Sequence, residues 1–130
     1  MKNISLLFRF CLVGSTGTII NITAYYMFTN FLGFGINHSS IYAFFIAVSS
    51  NYVLNHYWTF LYKTKGKTPT IKKFFQYVSA NLVGLSVNLV VLNLSINIFG
   101  IDFHILAQLL GVLSGTAFNF IFSKKIVFLN

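Results

Sequence analysis

The sequence predicts an all-α, polytopic membrane protein whose four transmembrane helices form a duplicated two-helix unit, with both termini cytoplasmic. Of its 130 residues, 56% are hydrophobic and only 8% are charged, whereas soluble domains average about 25% charged residues. No Lys, Arg, Asp or Glu occurs between Arg9 and Lys63. That stretch is too long for one crossing, because about 20 helical residues traverse the hydrocarbon. Its residues do not alternate between apolar and polar as barrel strands do, so helices are expected.

Two corners and one polar connection divide the chain into four predicted helices, which together make residues 1–130 a single membrane domain. The corners are expected at 33–37 and 100–102, where glycine and polar residues interrupt the apolar runs. In the polar connection, Thr68 is expected to cap the third helix and Pro69 to be its first residue. The predicted helices cover residues 10–32, 39–62, 70–99 and 103–123.

All nine Lys and Arg residues lie on one side of this predicted arrangement. They are Lys2, Arg9, Lys63, Lys65, Lys67, Lys72, Lys73, Lys124 and Lys125. The positive-inside rule therefore predicts a basic cytoplasmic loop at 63–73 between two cytoplasmic termini. Anionic membrane lipids attract such residues by about 1 kcal/mol each, which accounts for the net charge of +8. Nucleic-acid binding is not expected, because the apolar body leaves no polar module to present a groove.

The two halves of the chain align at an offset of 67 or 68 positions. The matched pairs are glycines and asparagines: Gly17 with Gly84, Asn21 with Asn88, and Asn51 with Asn119. This pattern predicts a first two-helix repeat at 8–62 and a second at 74–128. Because each repeat has an even number of helices, both would enter from the same side, as in a parallel duplication. Chance similarity between apolar helices is the alternative.

Small and polar residues recur on one face of each predicted helix, at spacings of three, four and seven. Helix packing explains the glycines, because small residues let helix backbones approach closely. The side-chain amides have two interpretations, packing and a polar cleft, since polar groups inside a membrane often mark a pathway. The predicted cleft comprises the amides of Asn21, Asn51, Asn55, Asn88, Asn119 and Gln108.

A second candidate site lies at the cytoplasmic ends of the predicted helices, where cationic groups gather near the inner headgroups. Such a cluster suits a phosphate or diphosphate. The residues expected to bind this headgroup are Arg9, His56, Lys124 and Lys125. Tyr57 and Trp58 are expected to be interface aromatic residues. An ordinary basic and aromatic anchor belt is the alternative interpretation.

The sequence shows no pattern of catalytic chemistry. It contains no nucleophile–base–acid set and no Gly-rich ATP-binding loop, and its single Cys and three His lack the spacing of a metal site. We therefore expect neither an enzyme nor a cofactor or metal. The single acid, Asp102, is predicted at an outer corner, which argues against a proton-coupled exporter, because such proteins usually need an intramembrane acid.

Two segments resemble the GtrA-like family of small four-helix membrane proteins. They are RFCLVG at 9–14, followed by Gly17 and Asn21, and NYVLNHYWTF at 51–60. The resemblance covers about residues 6–128. At residue 56 the chain departs from the family pattern, because it has a histidine where a fixed-charge Arg or Lys is usual.

The resemblance implies a role in cell-surface polysaccharide synthesis. Members are thought to flip polyprenyl-phosphate-linked sugars across the bacterial cytoplasmic membrane, where an outward-facing membrane glycosyltransferase uses them, and others are linked to teichoic acid glycosylation. The positions that match the family's characteristic residues are Arg9, Asn21, Asn51, Asn55 and Trp58.

Two other functions remain open from the sequence. The chain could be a non-transporting accessory subunit or scaffold of a membrane glycosyltransferase, in which case its amides would serve assembly. A small-molecule exporter is the other, and the missing intramembrane acid argues against it. Four helices have little room to enclose a sugar, so a homodimer with a shared cleft is also expected as a way to provide that room.

Overall fold

The computed structural model describes residues 2–122, and this part of the chain is helical with no β-strand. Its α-helices are α1 (Lys2–Tyr26), α2 (Ile36–Leu54), the short α3 (Leu61–Thr64), α4 (Ile71–Phe99) and α5 (His104–Phe122). The predicted all-α class is confirmed.

The helix ends differ from the predicted ends. α1 begins at Lys2 rather than at residue 10, because the basic residues before the apolar run do not interrupt the helix. α2 begins at Ile36 rather than at residue 39. Two π-helical turns, Met27–Phe31 and Asn55–Thr59, extend α1 and α2, and a 3-10 turn at Ile101–Phe103 precedes α5.

The predicted cap of the third helix is wrong by two residues. Thr70, not Thr68, has an extended backbone, and its hydroxyl oxygen accepts a hydrogen bond from the Lys73 backbone N at 3.1 Å. This satisfies one of the backbone donors that lack a partner in a helix's first turn. Pro69 therefore precedes the cap instead of starting the helix.

Glycines with positive φ make both corners. Gly33 has φ 69° and Gly100 has φ 96°, a backbone conformation that an L side chain rarely adopts. Both corners fall where they were predicted. They fold the chain into a first hairpin, α1 with α2, and a second hairpin, α4 with α5.

The two hairpins pack into a four-helix bundle. Contacts within each hairpin are extensive, while α1 meets α5 and α2 meets α4 through far fewer residues. We call these two smaller interfaces together the seam. The end of the bundle that carries Arg9 and the 65–73 connection is called the basic end, and the end with the glycine corners is called the corner end.

Three stretches are long and apolar enough to cross a membrane: Ile4–Phe31, Ile71–Phe99 and Ile101–Asn119. α2 is the fourth long helix, and its serines and asparagines lower its mean hydropathy. Ser39 and Ser40 of α2, and Asn55 in the π-helical turn that follows it, are buried in the bundle. The protein is therefore a multi-pass membrane protein in which one helix keeps polar groups inside.

The burial pattern is the reverse of that in a soluble bundle. Large apolar side chains cover the outside, and Ile4, Ile71 and Ile98 are each more than 70% exposed. Ten polar side chains of the described residues are buried instead, among them six amide or hydroxyl groups that are at most 3% exposed. Lipid as the surrounding solvent explains an apolar exterior, since it imposes no cost on exposed hydrocarbon.

Candidate functional site

A polar cavity of about 60 Å³ lies between the hairpins and is lined by α1, α2, α4 and α5 together with Asn55. Five of the six predicted cleft amides line it. They are Asn21, Asn51, Asn55, Asn88 and Asn119. Its volume holds a few water molecules, at roughly 10–15 Å³ each. The sequence therefore identified the lining amides, and the structure brings them to one place.

Within each hairpin, an asparagine packs directly on a glycine. The side-chain amide of Asn51 in α2 lies where a Cβ of Gly17 would be, and its Cγ would be only 2.8 Å from that Cβ. The amide of Asn119 in α5 lies in the same way against Gly84 of α4, with its Cγ 2.5 Å from the position of such a Cβ. Only glycine leaves room for these amides. The two contacts join residues that correspond in the predicted repeat.

The second hairpin has two further close approaches. Asn88 in α4 packs its amide and backbone oxygen on Gly111, and the backbone oxygen would be 2.7 Å from a Cβ there. A Cβ on Gly115 would lie 2.5 Å from the backbone oxygen of Gly84. α4 and α5 are therefore held at backbone contact, which a larger residue would prevent.

The amide oxygens of Asn51, Asn88 and Asn119 are buried and lack a hydrogen-bond partner among the described residues. In each residue this oxygen is the side-chain atom nearest the glycine. Such an oxygen can receive only the weak contact of a glycine Cα–H group. Buried amides without a full partner are rare in folded proteins, so these three require an explanation.

Gln108 closes the cavity toward the corner end. Its Nε2 donates to Asn21 Oδ1 at 2.9 Å, and its Oε1 accepts from Ser40 Oγ at 3.0 Å. All three side chains are buried, and Gln108 itself is inaccessible. This sixth predicted amide does not line the cavity. It joins α5 to α1 and α2 across the seam.

A second polar contact crosses the seam beyond Gln108. The Tyr25 hydroxyl and His104 Nδ1 are 2.9 Å apart, which joins α1 to the first turn of α5. Asn93 Nδ2 of α4 also donates to Asn37 Oδ1 of α2 at 2.9 Å, so three successive polar contacts hold the seam together on the corner side of the cavity.

On the basic side, the cavity ends at Asn55 and Tyr77. Asn55 Nδ2 donates to the Tyr77 hydroxyl at 3.1 Å, while Asn55 Oδ1 is buried without a partner among the described residues. Around them lies an apolar and aromatic cluster made of Leu6, Phe10, Phe44, Val48, Tyr52, Phe60, Tyr77 and Ala80. The cavity is thus capped at both ends in this conformation.

Arg9 contacts the predicted interface residue Trp58. Its Nη1 donates to the Trp58 backbone oxygen at 3.2 Å, and its guanidinium lies 5.6 Å from the centre of the indole ring. That distance is within the range of a cation–π interaction. Trp58 and Tyr57 are exposed on the outside of the bundle, where the membrane interface would meet them.

His56 has a different set of neighbours. The π-helical turn rotates it inward, so that it is only 6% exposed, and its Nε2 lies 2.8 Å from the Lys67 backbone oxygen. Because a carbonyl oxygen accepts, Nε2 carries the proton and donates. Arg9 and His56 therefore contact different residues, Trp58 and Lys67. The His56 hydrogen bond joins the 65–67 segment to the π-helical turn that follows α2. The predicted Lys124 and Lys125 lie outside the described residues.

Sequence reasoning did not assign Tyr77 and Asn81 to the site, although both line the cavity. Asn81 Nδ2 donates to the Tyr77 backbone oxygen at 2.7 Å. The available signal for Asn81 was its helical spacing of three residues from Gly84 and seven from Asn88; Tyr77 had no such signal. Among the described residues, no three His, Cys, Asp or Glu side chains converge on a point where a metal could bind.

The family model described as GtrA/DPMS, transmembrane domain, matches residues 9–128 of the chain. The match includes every helix that lines the cavity. No curated protein matches the chain significantly.

Proposed function

Since the chain belongs to the GtrA/DPMS transmembrane domain family, we propose that it flips a polyprenyl-phosphate-linked sugar across the bacterial cytoplasmic membrane. The sugar would then serve glycosylation of a cell-surface polysaccharide or teichoic acid by a membrane glycosyltransferase. The observation that carries this proposal is the amide-lined cavity inside a bundle whose exterior is largely apolar.

In this proposal α2 is the fourth transmembrane helix. Its polar residues are tolerated because Ser39 and Ser40 are buried against neighbouring helices, while the hydroxyl of the exposed Ser49 bonds the Phe45 backbone oxygen of its own helix. The basic end faces the cytoplasm, following the positive-inside rule. Lys65, Lys67, Lys72 and Lys73 at that end are exposed, so they can meet anionic headgroups.

A flipped lipid needs a polar route for its headgroup while its tail stays in hydrocarbon, because a buried polar group without partners costs several kcal/mol, roughly 2–7. The seam suits this requirement. It holds polar side chains along its length, and few residues join α1 to α5 or α2 to α4, so either interface can part toward lipid. A lipid-linked substrate can therefore enter it sideways with its tail outside.

The cavity of about 60 Å³ is smaller than a sugar ring, so transport requires the hairpins to separate. The seam is the weaker part of the bundle, because its contacts are far fewer than those within a hairpin. The asparagine–glycine contacts lie inside the hairpins and would persist. Each hairpin would then move as one body, as repeats do in other transporters.

Arg9 is proposed to receive the phosphate at the basic end. Only one of its N–H groups is used by the Trp58 backbone, and a guanidinium carries five donors. The indole holds the guanidinium at the membrane interface. Arginine pairs well with phosphate because two of its donors match two phosphate oxygens.

Reconstitution in vesicles tests the proposal. A fluorescent polyprenyl-phosphate hexose is added symmetrically, and a membrane-impermeant quencher reports how fast the inner-leaflet pool becomes accessible. The protein should accelerate this exchange over protein-free vesicles. Arg9→Gln should raise the lipid concentration that gives half the maximal rate, while Lys65→Gln in the exposed connection should not. Exchange no faster than in protein-free vesicles would contradict the proposal.

The small size of the cavity favours one alternative, a non-transporting accessory subunit or scaffold of a membrane glycosyltransferase. In that case the asparagines serve only assembly. Asn51→Ala would then lose the glycosyltransferase in a pull-down. Normal pull-down together with lost glycosylation supports transport instead.

A further inference from the structure

The cavity lining carries no ionic charge among the described residues. None of its side chains is Lys, Arg, His, Asp or Glu, and its one titratable group is the phenol of Tyr77. The charged residues of the described chain lie at the bundle ends instead. Whatever enters the cavity therefore meets neutral dipoles and apolar walls.

Three lining amides offer hydrogen-bond donors. Asn51, Asn88 and Asn119 turn their oxygens toward glycines, and their –NH₂ groups have no partner among the described residues. Asn88 is only 4% exposed, so water outside the bundle does not satisfy it. The glycine contacts hold these amides in place, so their donor groups are positioned before a ligand arrives.

Asn55 offers the opposite polarity. Its –NH₂ group donates to the Tyr77 hydroxyl. Its oxygen is an acceptor without a partner among the described residues, in a side chain that is only 1% exposed. The cavity thus combines fixed donors with a fixed acceptor. A sugar hydroxyl both donates and accepts, so it can satisfy both kinds of group.

A charged sugar has no such match. An ammonium or carboxylate group that enters this cavity must give up most of its water, and no lining side chain supplies an opposite charge, so burying it is far more costly than burying a hydroxyl. We propose that this cavity selects neutral glycosyl headgroups and rejects amino sugars and uronic acids, and that its uncharged amides are the specificity-determining residues. This inference rests on the proposed function, since it names the class of sugar that the flipped lipid carries.

Equilibrium binding tests the inference without requiring transport. The purified protein in detergent is titrated with short-chain polyprenyl phosphates that bear a hexose, a hexosamine or a hexuronate, and the fluorescence of the single Trp58 reports binding. The hexose lipid should bind at least about tenfold more tightly than either charged lipid, a difference of about 1.4 kcal/mol. Equal binding of the three lipids, or no binding of any, would overturn the inference.

Charge substitutions sharpen the test. Asn51→Asp should improve the binding of the hexosamine lipid relative to the hexose lipid by at least about tenfold, because it supplies the missing opposite charge. Its repeat counterpart Asn119→Asp serves as a second variant if the first does not fold. Asn30→Asp is the matched control, since Asn30 is exposed near the corner end and does not line the cavity. An unchanged preference in both cavity variants would count against the inference.

The vesicle assay separates this inference from the proposed function. Selective binding without accelerated exchange would leave the selectivity standing and contradict flipping. Accelerated exchange of hexose, hexosamine and hexuronate lipids at equal rates would support flipping and overturn the selectivity.

Discussion

Replacing Gly115 by alanine should destabilise the bundle, although alanine is the better helix former. The new Cβ would lie 2.5 Å from the Gly84 backbone oxygen and 3.1 Å from its carbonyl carbon. Carbon and oxygen atoms in close helix contacts are ordinarily about 3.3–3.6 Å apart. A backbone atom cannot rotate away, so α4 and α5 must separate locally by about 1 Å.

Gly14→Ala is the matched control. Gly14 also lies in a long helix and lines the cavity, but its new Cβ would meet nothing closer than Thr116 Cγ2 at 3.8 Å, an ordinary contact. Both variants gain the same helix propensity, about 1 kcal/mol. The difference between them therefore reports the crowding alone, for which overpacked cores give about 1–3 kcal/mol.

Unfolding by SDS in mixed micelles, followed by the loss of helical circular dichroism, measures this difference. We expect the free energy of unfolding of Gly115→Ala to lie about 1–3 kcal/mol below that of Gly14→Ala. Gly14→Ala itself should equal or exceed the wild type. If the two variants unfold together, α4 and α5 are not at backbone contact, and the packing of the second hairpin is wrong.

Three further predictions address the seam, the helix cap and the topology. Gln108→Leu should lower the free energy of unfolding by about 1–3 kcal/mol, because it leaves a buried amide oxygen and a buried hydroxyl without partners; SDS titration measures it. Thr70→Ala should cost about 1 kcal/mol through loss of the α4 cap, by the same assay. In a Cys11→Ser background, an impermeant maleimide applied to intact cells should label Phe34→Cys, and should label Lys67→Cys only after the cells are permeabilised.

Each of these has its own control. Ser114→Ala removes an exposed hydroxyl that bonds only Leu110 of its own helix, so its effect should stay within about 0.5 kcal/mol. Thr68→Ala should leave the free energy of unfolding unchanged. A decrease equal to that of Thr70→Ala would show that Thr68 caps the helix, as the sequence predicted. Labelling of Lys67→Cys in intact cells would contradict the proposed orientation and place the basic end outside the cell.

The main features of the fold could be predicted from the sequence because they depend on simple constraints. An uncharged run longer than one bilayer crossing must turn back, and glycine marks both places where it does. The lining amides could be found because their spacing keeps them on one face of each helix. These arguments use only hydropathy and helical periodicity.

The helix ends and the partners of individual side chains could not be predicted in the same way. Thr68 and Thr70 are both plausible caps, and backbone geometry rather than composition selects Thr70. His56 was predicted to bind a lipid headgroup, but a π-helical turn shifts its position around the helix axis and buries it. Periodicity at 3.6 residues per turn contains no signal for such a turn.

The asparagine–glycine contacts could be predicted only in part. The repeat pairs Gly17 with Gly84 and Asn51 with Asn119, but sequence gives no reason for a glycine and an asparagine some 34 positions apart to touch. The structure shows that they do, in both hairpins. The glycine is needed to admit the amide, and this explains why both residue types recur together.

The rate at which a fluorescent polyprenyl-phosphate hexose crosses vesicles containing Asn119→Ala tests the central claim most directly. SDS titration first confirms that the variant is folded. Its acceleration over protein-free vesicles should then fall at least roughly tenfold below that of the wild type, which corresponds to an activation free energy of crossing higher by about 1.4 kcal/mol. Asn30→Ala, an exposed residue near the corner end that does not line the cavity, should retain the wild-type rate. Equal rates for Asn119→Ala and the wild type would contradict a path through the amide-lined seam.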